Sequence, residues 1–251
     1  MKIIFYFCVK MTQGNKCLTL KNIRTMEKNA AKTKVYNVII MDRSGSMWEI
    51  QRPAIMGFNE VLGGVKAARE KFSETQEQLI SLVLFDSSSI DELYWNADPA
   101  KVEHLTDKTY VPGASTPLYD AMGRTLTKLE KELSGEGDHS VAVTVITDGY
   151  ENASREYSLA SVKALIEHLT GLGWSFAYMG TDHDVEGVSV SLSITNVIRF
   201  EKTEAETMKS FQKERRARMR WAEEEDACFC ASPLARLKAR KLRAKDFYKE
   251  D

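Results

Sequence analysis

The sequence predicts an α/β protein: a three-layer sandwich with a mostly parallel, doubly wound sheet between two layers of helices. Three observations predict it. Short apolar runs rich in Val, Ile and aromatics recur along the chain. Most are continuous rather than alternating, as expected of strands covered on both faces. Amphipathic helical segments separate them, and Gly or Pro punctuates several boundaries.

The first strand is read at residues 35–41. A helix follows, with Ile55, Phe58, Val61, Leu62, Val65, Ala68 and Phe72 on one face and Pro53 suited to the first helical position. Residues 79–85 are the second strand. The weaker run at 90–95 is read as an antiparallel edge strand, paired with it across residues 86–89. Leu118, Met122, Leu126, Leu129 and Leu133 mark a helix that starts at Pro117 and ends near Gly135. Residues 141–147 form the next strand. Ser158 can cap the helix carrying Val162, Leu165, Ile166, Leu169 and Leu172, and Gly173 suits its end. Strands at 174–179 and 196–200 complete the set. Alternation of this kind calls for right-handed crossovers.

A hydrophobic fraction of 43% allows a sizeable core, and a net charge of -1 gives no long-range attraction to nucleic acid or membrane. The four cysteines, Cys8, Cys17, Cys228 and Cys230, lie outside residues 36–210, so the core has no disulfide framework. Cys228 and Cys230 are closer together than the usual zinc-binding pair. The apolar run from Ile3 to Val9 is too short to span a membrane, and no small-residue cleavage site follows it. A cytoplasmic protein is therefore expected. Residues 1–33 read as a tail, with Met26 as a second start, and residues 34–200 as the domain. Residues 201–251 read as a charged helical extension: a helix to about Ala222, with Met208 and Phe211 on the domain, then a solvated stretch. The basic run at 213–220 is read as the wet face of that helix. The acidic cluster after it disfavours a nucleic-acid surface.

Three segments carry chemistry. Asp42-Arg43-Ser44-Gly45-Ser46 directly follows the first strand. Gly113-Ala114-Ser115-Thr116-Pro117 precedes a helix. Thr147-Asp148-Gly149 ends the strand at 141–147. Hard divalent cations want oxygen ligands, and Asp42, Ser44, Ser46, Thr116 and Asp148 offer two carboxylates and three hydroxyls. In open α/β sheets ligands bind beyond the carboxyl ends of strands where the order reverses; for an order 3-2-1-4-5-6 the two aspartates flank that crevice. Asp42 and Ser44 also suit an Asx-turn that caps the next helix, which is compatible with ligation. Arg43, Met47, Trp48 and Tyr150 are candidates for the rim. His183 is read as a solvated loop residue.

The pattern Asp42-x-Ser44-x-Ser46, a Thr116-Pro117 loop and Thr147-Asp148-Gly149 resembles the metal-ion-dependent adhesion site of von Willebrand factor type A domains. The likeness covers residues 34–200. It implies the sheet order 3-2-1-4-5-6 with an antiparallel edge strand, and a Mg²⁺ or Mn²⁺ ion. It implies direct ligation by Ser44 and Ser46, and direct or water-mediated contact from Asp42, Thr116 and Asp148. An Asp or Glu of a protein partner would complete the shell. The expected role is a non-enzymatic, metal-dependent protein-binding module, such as a regulatory subunit of a larger assembly.

The competing reading is a Mg²⁺-dependent phosphohydrolase of the haloacid dehalogenase-like type. That chemistry expects a second aspartate two residues after the first, where Ser44 stands. Only four histidines occur, none in the three segments. Extracellular adhesion is a third option, disfavoured by the lack of core cysteines and of a signal peptide.

Overall fold

The strand read at 35–41 is the centre of the sheet. In the computed structural model, which describes residues 31–181 and 185–249, β1 (Thr33–Asp42) is parallel to β2 (Gln76–Phe85) on one side and to β4 (His139–Thr147) on the other. β3 (Ile90–Ala97) runs antiparallel to β2 at one edge. β5 (Ser175–Gly180) and β6 (Asn196–Arg199) extend the parallel sheet at the other edge. The order is β3-β2-β1-β4-β5-β6, as the sequence predicts.

Period-two alternation sends β1 side chains to two separate cores. Val35, Ile39 and Met41 pack under α1 (Gln51–Lys71) and α5 (Glu204–Ala227). Tyr36, Val38 and Ile40 pack under α2 (Leu118–Leu133), α3 (Leu159–Gly171) and α4 (Val185–Ser191). Each fully buried Val, Leu or Ile contributes about 1.5–3 kcal/mol, so two continuous cores are the main stabilising term.

Boundaries follow local chemistry. Ser158 caps α3 in a capping box with Ser161, and Gly135 and Gly173 take positive φ just beyond α2 and α3. Pro53 is not the first residue of its helix. A 3-10 helix over Gly45–Ile50 leads into α1, which begins two residues earlier, at Gln51. Pro117 sits one position before α2.

The largest departure is at the C-terminus. The stretch beyond Ala222 is not merely a solvated extension: α5 continues to Ala227, α6 (Pro233–Arg243) follows, and Arg240, Phe247 and Tyr248 are buried, although much of it stays exposed. Nor is the basic run simply a wet face. Arg218 is buried and donates to Glu214 Oε1 at 2.7 Å, Asn37 Oδ1 at 3.1 Å and Thr144 Oγ1 at 2.7 Å. Tyr248 donates to the other oxygen of Glu214 at 2.5 Å. A second cluster joins Glu225 and Asp138 to Arg236, Arg240 and Arg243, tying α6 to the start of β4. These charges neutralise one another, so averaged along the sequence the segment looks hydrophilic.

Candidate metal centre

The site is assembled where the sheet order reverses, between β1 and β4. The register that sets Met41 beside Ile146 carries Asp42 to Thr147 at the strand ends. Thr147 donates its hydroxyl to Asp42 Oδ2 at 2.5 Å, and the Ser44 amide donates to Asp42 Oδ1 at 2.7 Å. The Asx-turn expected of Asp42 is therefore present. Each carboxylate oxygen still has a lone pair available. The main-chain carbonyl of Asp42 accepts the Tyr110 hydroxyl at 2.6 Å. Burial, then the charges of Asp42 and Asp148, hold the Tyr110 pKa well above its ordinary value, which keeps it a donor.

Three loops meet over this crevice. The Gly45 amide donates to the Ala114 carbonyl at 3.0 Å, and the Gly113 amide to the Arg43 carbonyl at 2.8 Å. Ala114 pays for this with a φ of 59°, a left-handed backbone that costs a non-glycine residue about 1–2 kcal/mol. The Thr116 amide donates to Asn152 Oδ1 at 2.8 Å, and the Asn152 amide returns a bond to the Thr116 carbonyl at 3.1 Å. Loops after β1, before α2 and after β4 are thus fixed by backbone pairing.

Four of the five residues singled out in the sequence form one hydrogen-bonded chain. Asp42 holds the Ser44 amide, Ser44 Oγ lies 3.2 Å from Ser46 Oγ, and Ser46 donates to Asp148 Oδ1 at 2.6 Å. Thr116 joins through shared space. A Cβ placed on Gly149 would stand 3.4 Å from Ser46 Oγ and 3.5 Å from Thr116 Oγ1. A residue with no side chain at 149 leaves that space open between the two hydroxyls.

The donor set fits a hard cation. With metal–oxygen distances of about 2.0–2.1 Å, oxygens on adjacent octahedral vertices lie about 3 Å apart, close to the serine–serine and serine–aspartate separations. The Asp148 carboxylate is fully buried, and its Oδ2 accepts no hydrogen bond among the described residues. Burial pushes the Asp42 pKa up to about 6 against the hydrogen bonds from Thr147 and Ser44, and Asp148 adds repulsion. Asp42 would gain from a nearby positive charge, whereas Asp148 already faces the Lys202 ammonium at 3.0 Å. Among the described residues there is no cluster of three or more His, Cys, Asp or Glu suited to a metal.

The rim differs in part from expectation. Trp48 and Tyr150 are more than half exposed. Met47 is buried in the core instead, and Arg43 turns aside to Asp86, Ser89 and Asp91 at the β2–β3 turn. His183, Met26, Cys8 and Cys17 lie outside the described residues. The sequence reading named Thr147 only as part of its segment, without a role of its own, and missed Tyr110, Asn152 and Lys202. Thr147 was visible as the residue before Asp148 on a strand next to β1. Lys202 gave no signal: it lies two strands away, and its long side chain brings the ammonium to 3.0 Å from Asp148 Oδ2.

No family model and no curated protein matches the chain. Solved structures do. Pilus adhesin SpaC from Lactobacillus rhamnosus GG is 11% identical, with a TM-score of 0.50 over 80% of this chain and 31% of that one. The vWF domain of the type V pili tip protein Mfa5 from Porphyromonas gingivalis is 12% identical, with a TM-score of 0.48 over 73% of this chain and 95% of that one. Proximal thread matrix protein 1 from the mussel byssus, with a zinc-occupied MIDAS motif, is 13% identical, with a TM-score of 0.47 over 72% of this chain. The chain spans 44% of that mussel protein. At such identities the likeness concerns the fold alone. Together with the observed strand order, it gives this chain a six-stranded α/β sandwich fold shared with the pilus adhesin.

Proposed function

We propose that the chain is a metal-dependent protein-binding module whose Asp42, Ser44, Ser46, Thr116 and Asp148 hold Mg²⁺ or Mn²⁺. The observation that carries this reading is the hydrogen-bonded chain from Asp42 through Ser44 and Ser46 to Asp148, closed over by the Thr116 loop at the switch point of the sheet. When bound, such a cation supplies a Lewis-acidic position that accepts one carboxylate oxygen from an Asp or Glu of a partner. Ser44 and Ser46 present neutral oxygens, so the site keeps few negative charges and favours an added one. Thr147 and the Ser44 amide hold Asp42 in orientation. Trp48 and Tyr150 stand exposed beside the loops that form the site and offer apolar contact around the carboxylate. These groups suit binding rather than catalysis.

Calorimetric titration of Mg²⁺ and Mn²⁺ into EDTA-treated protein tests the reading, with Asp42→Ala as the control. Saturable binding at one site, absent from a folded Asp42→Ala variant, is expected. Partner capture should then be lost in EDTA. Absence of binding both by the unaltered protein and by a Lys202→Gln variant, even with acetate added to complete the shell, would sink the metal-bridged reading. Phosphatase turnover abolished by Asp42→Asn would replace it with an enzyme.

A further inference from the structure

Lys202 reaches the candidate centre from the far edge of the sheet. It lies between β6 and α5, in a turn held at both ends. The Phe200 amide donates to the Gly180 carbonyl at 3.1 Å, and Thr203 caps α5 by accepting from the Glu206 amide at 3.2 Å. The Lys202 side chain is only 16% exposed, and its Nζ lies 3.0 Å from Asp148 Oδ2 and 3.0 Å from Glu49 Oε2. The two carboxylates differ sharply: Asp148 is fully buried, whereas Glu49 is 71% exposed.

A carboxylate buried this completely needs a counter-charge. Asp148 has two ways to obtain one: the Lys202 ammonium or a divalent cation. Asp148 Oδ1 is taken by Ser46, and Oδ2 faces the ammonium without a hydrogen bond. The contact is thus a charge–charge pairing rather than a directed bond, and another cation can replace it. We propose that Lys202 is a tethered competitor of the metal: its ammonium and a divalent cation exclude one another at Asp148, and Glu49, which already accepts from the ammonium at 3.0 Å, retains it when it is displaced. This rests on the metal-binding reading above and adds an internal regulator to it. Cation affinity would be set by how firmly the turn before α5 holds Lys202 over the site, since a competing intramolecular ligand lowers apparent affinity by the fraction of time it occupies the site.

The test compares Mg²⁺ dissociation constants, by calorimetry, for the full chain and for Lys202→Gln and Lys202→Arg. Lys202→Gln should bind Mg²⁺ about ten-fold more tightly or better, and Lys202→Arg should stay near the unaltered protein, because it keeps the charge. A second readout uses the unaltered protein, so it survives a variant that fails to fold. Acetylation of the Lys202 amine, followed by mass spectrometry, should speed up at saturating Mg²⁺ as the ammonium leaves the buried carboxylate for the exposed one. General loss of positive charge would tighten binding without moving this rate. Binding by the variant alone, with none in the unaltered chain, would be the strongest form of competition. If the unaltered chain binds Mg²⁺ and Lys202→Gln binds no more tightly, or labelling ignores Mg²⁺, the competition is refuted while the metal site stands. If neither protein binds Mg²⁺ or Mn²⁺, both readings fall.

Discussion

Thr147 and Asp42 lock the ends of β4 and β1 together: a buried hydroxyl donates at 2.5 Å to the carboxylate on which the candidate centre is built. Thr147→Val keeps the shape and removes the donor. The Asp42 carboxylate would then lose its Thr147 hydrogen bond in a site where burial already disfavours its charge, and keep those from Ser44. A loss of about 1–3 kcal/mol in unfolding free energy is expected, measured by urea denaturation in EDTA. Thr147→Ser should keep most of the stability. Equal stability of Thr147→Val and the unaltered protein would mean the bond carries no net energy.

Two glycines of one helix should respond in opposite directions. Gly57 of α1 lies against Phe211 of α5: an added Cβ would meet the ring at 2.0 Å. Helix propensity favours alanine over glycine by about 1 kcal/mol, but overpacking costs about 1–3 kcal/mol, and rigid ring atoms this close put Gly57→Ala on the losing side. At Gly63, on the exposed side of α1, a Cβ meets nothing within 4 Å. Gly63→Ala should therefore stabilise by about 0.5–1 kcal/mol. Thermal melts of the two variants decide it. A stabilising Gly57→Ala would mean α5 does not press on α1 as described.

The sheet was legible because its signals are local. Continuous runs such as residues 141–147, helical spacing from Leu118 to Leu133, and caps such as Ser158 each need only neighbouring residues to be read. The Asx-turn of Asp42 and Ser44 was legible for the same reason. What escaped was set by long-range pairing. Arg218 reads as one charge in a basic run until Glu214, Asn37 and Thr144 are placed around it. Lys202 reads as an ordinary lysine until the strand order brings it to Asp148. Met47 looked like a rim residue from its place beside Ser46, yet the 3-10 turn over Gly45–Ile50 points it into the core.

Attachment of α6 should be sensitive to acid. Burial alone would raise the Asp138 pKa. Hydrogen bonds from Arg240 and Thr33 and the charges of Arg240 and Arg236 outweigh it, and the pKa is lowered. A carboxyl whose folded pKa lies below its unfolded value contributes stability above the unfolded value, about 3.9, and loses it as pH falls through the folded one. Asp138→Asn should thus be less stable than the unaltered protein at neutral pH, with the gap narrowing below about pH 4. Denaturation midpoints across pH 2.5–7 test this, and a gap independent of pH would show that Asp138 ionisation is not linked to folding.

The Glu214–Arg218 pair makes the strongest claim about the C-terminal helix. Both side chains are at most 3% exposed and lie four residues apart on α5, against β1 and β4. A buried pair contributes little net stability over apolar groups of similar size, but breaking it leaves one charge stranded in the core. Arg218→Met alone should cost about 3–5 kcal/mol, because Glu214 would keep only the Thr144 and Tyr248 hydroxyls. Adding Glu214→Leu should restore a large part of that loss, although the Tyr248 hydroxyl then loses its acceptor. The double-mutant cycle, read by chemical denaturation, should therefore show strong coupling. Additive effects would mean that α5 tolerates water around Glu214, and that the segment after β6 is held by its apolar contacts, Phe211 and Trp221, rather than by its charges.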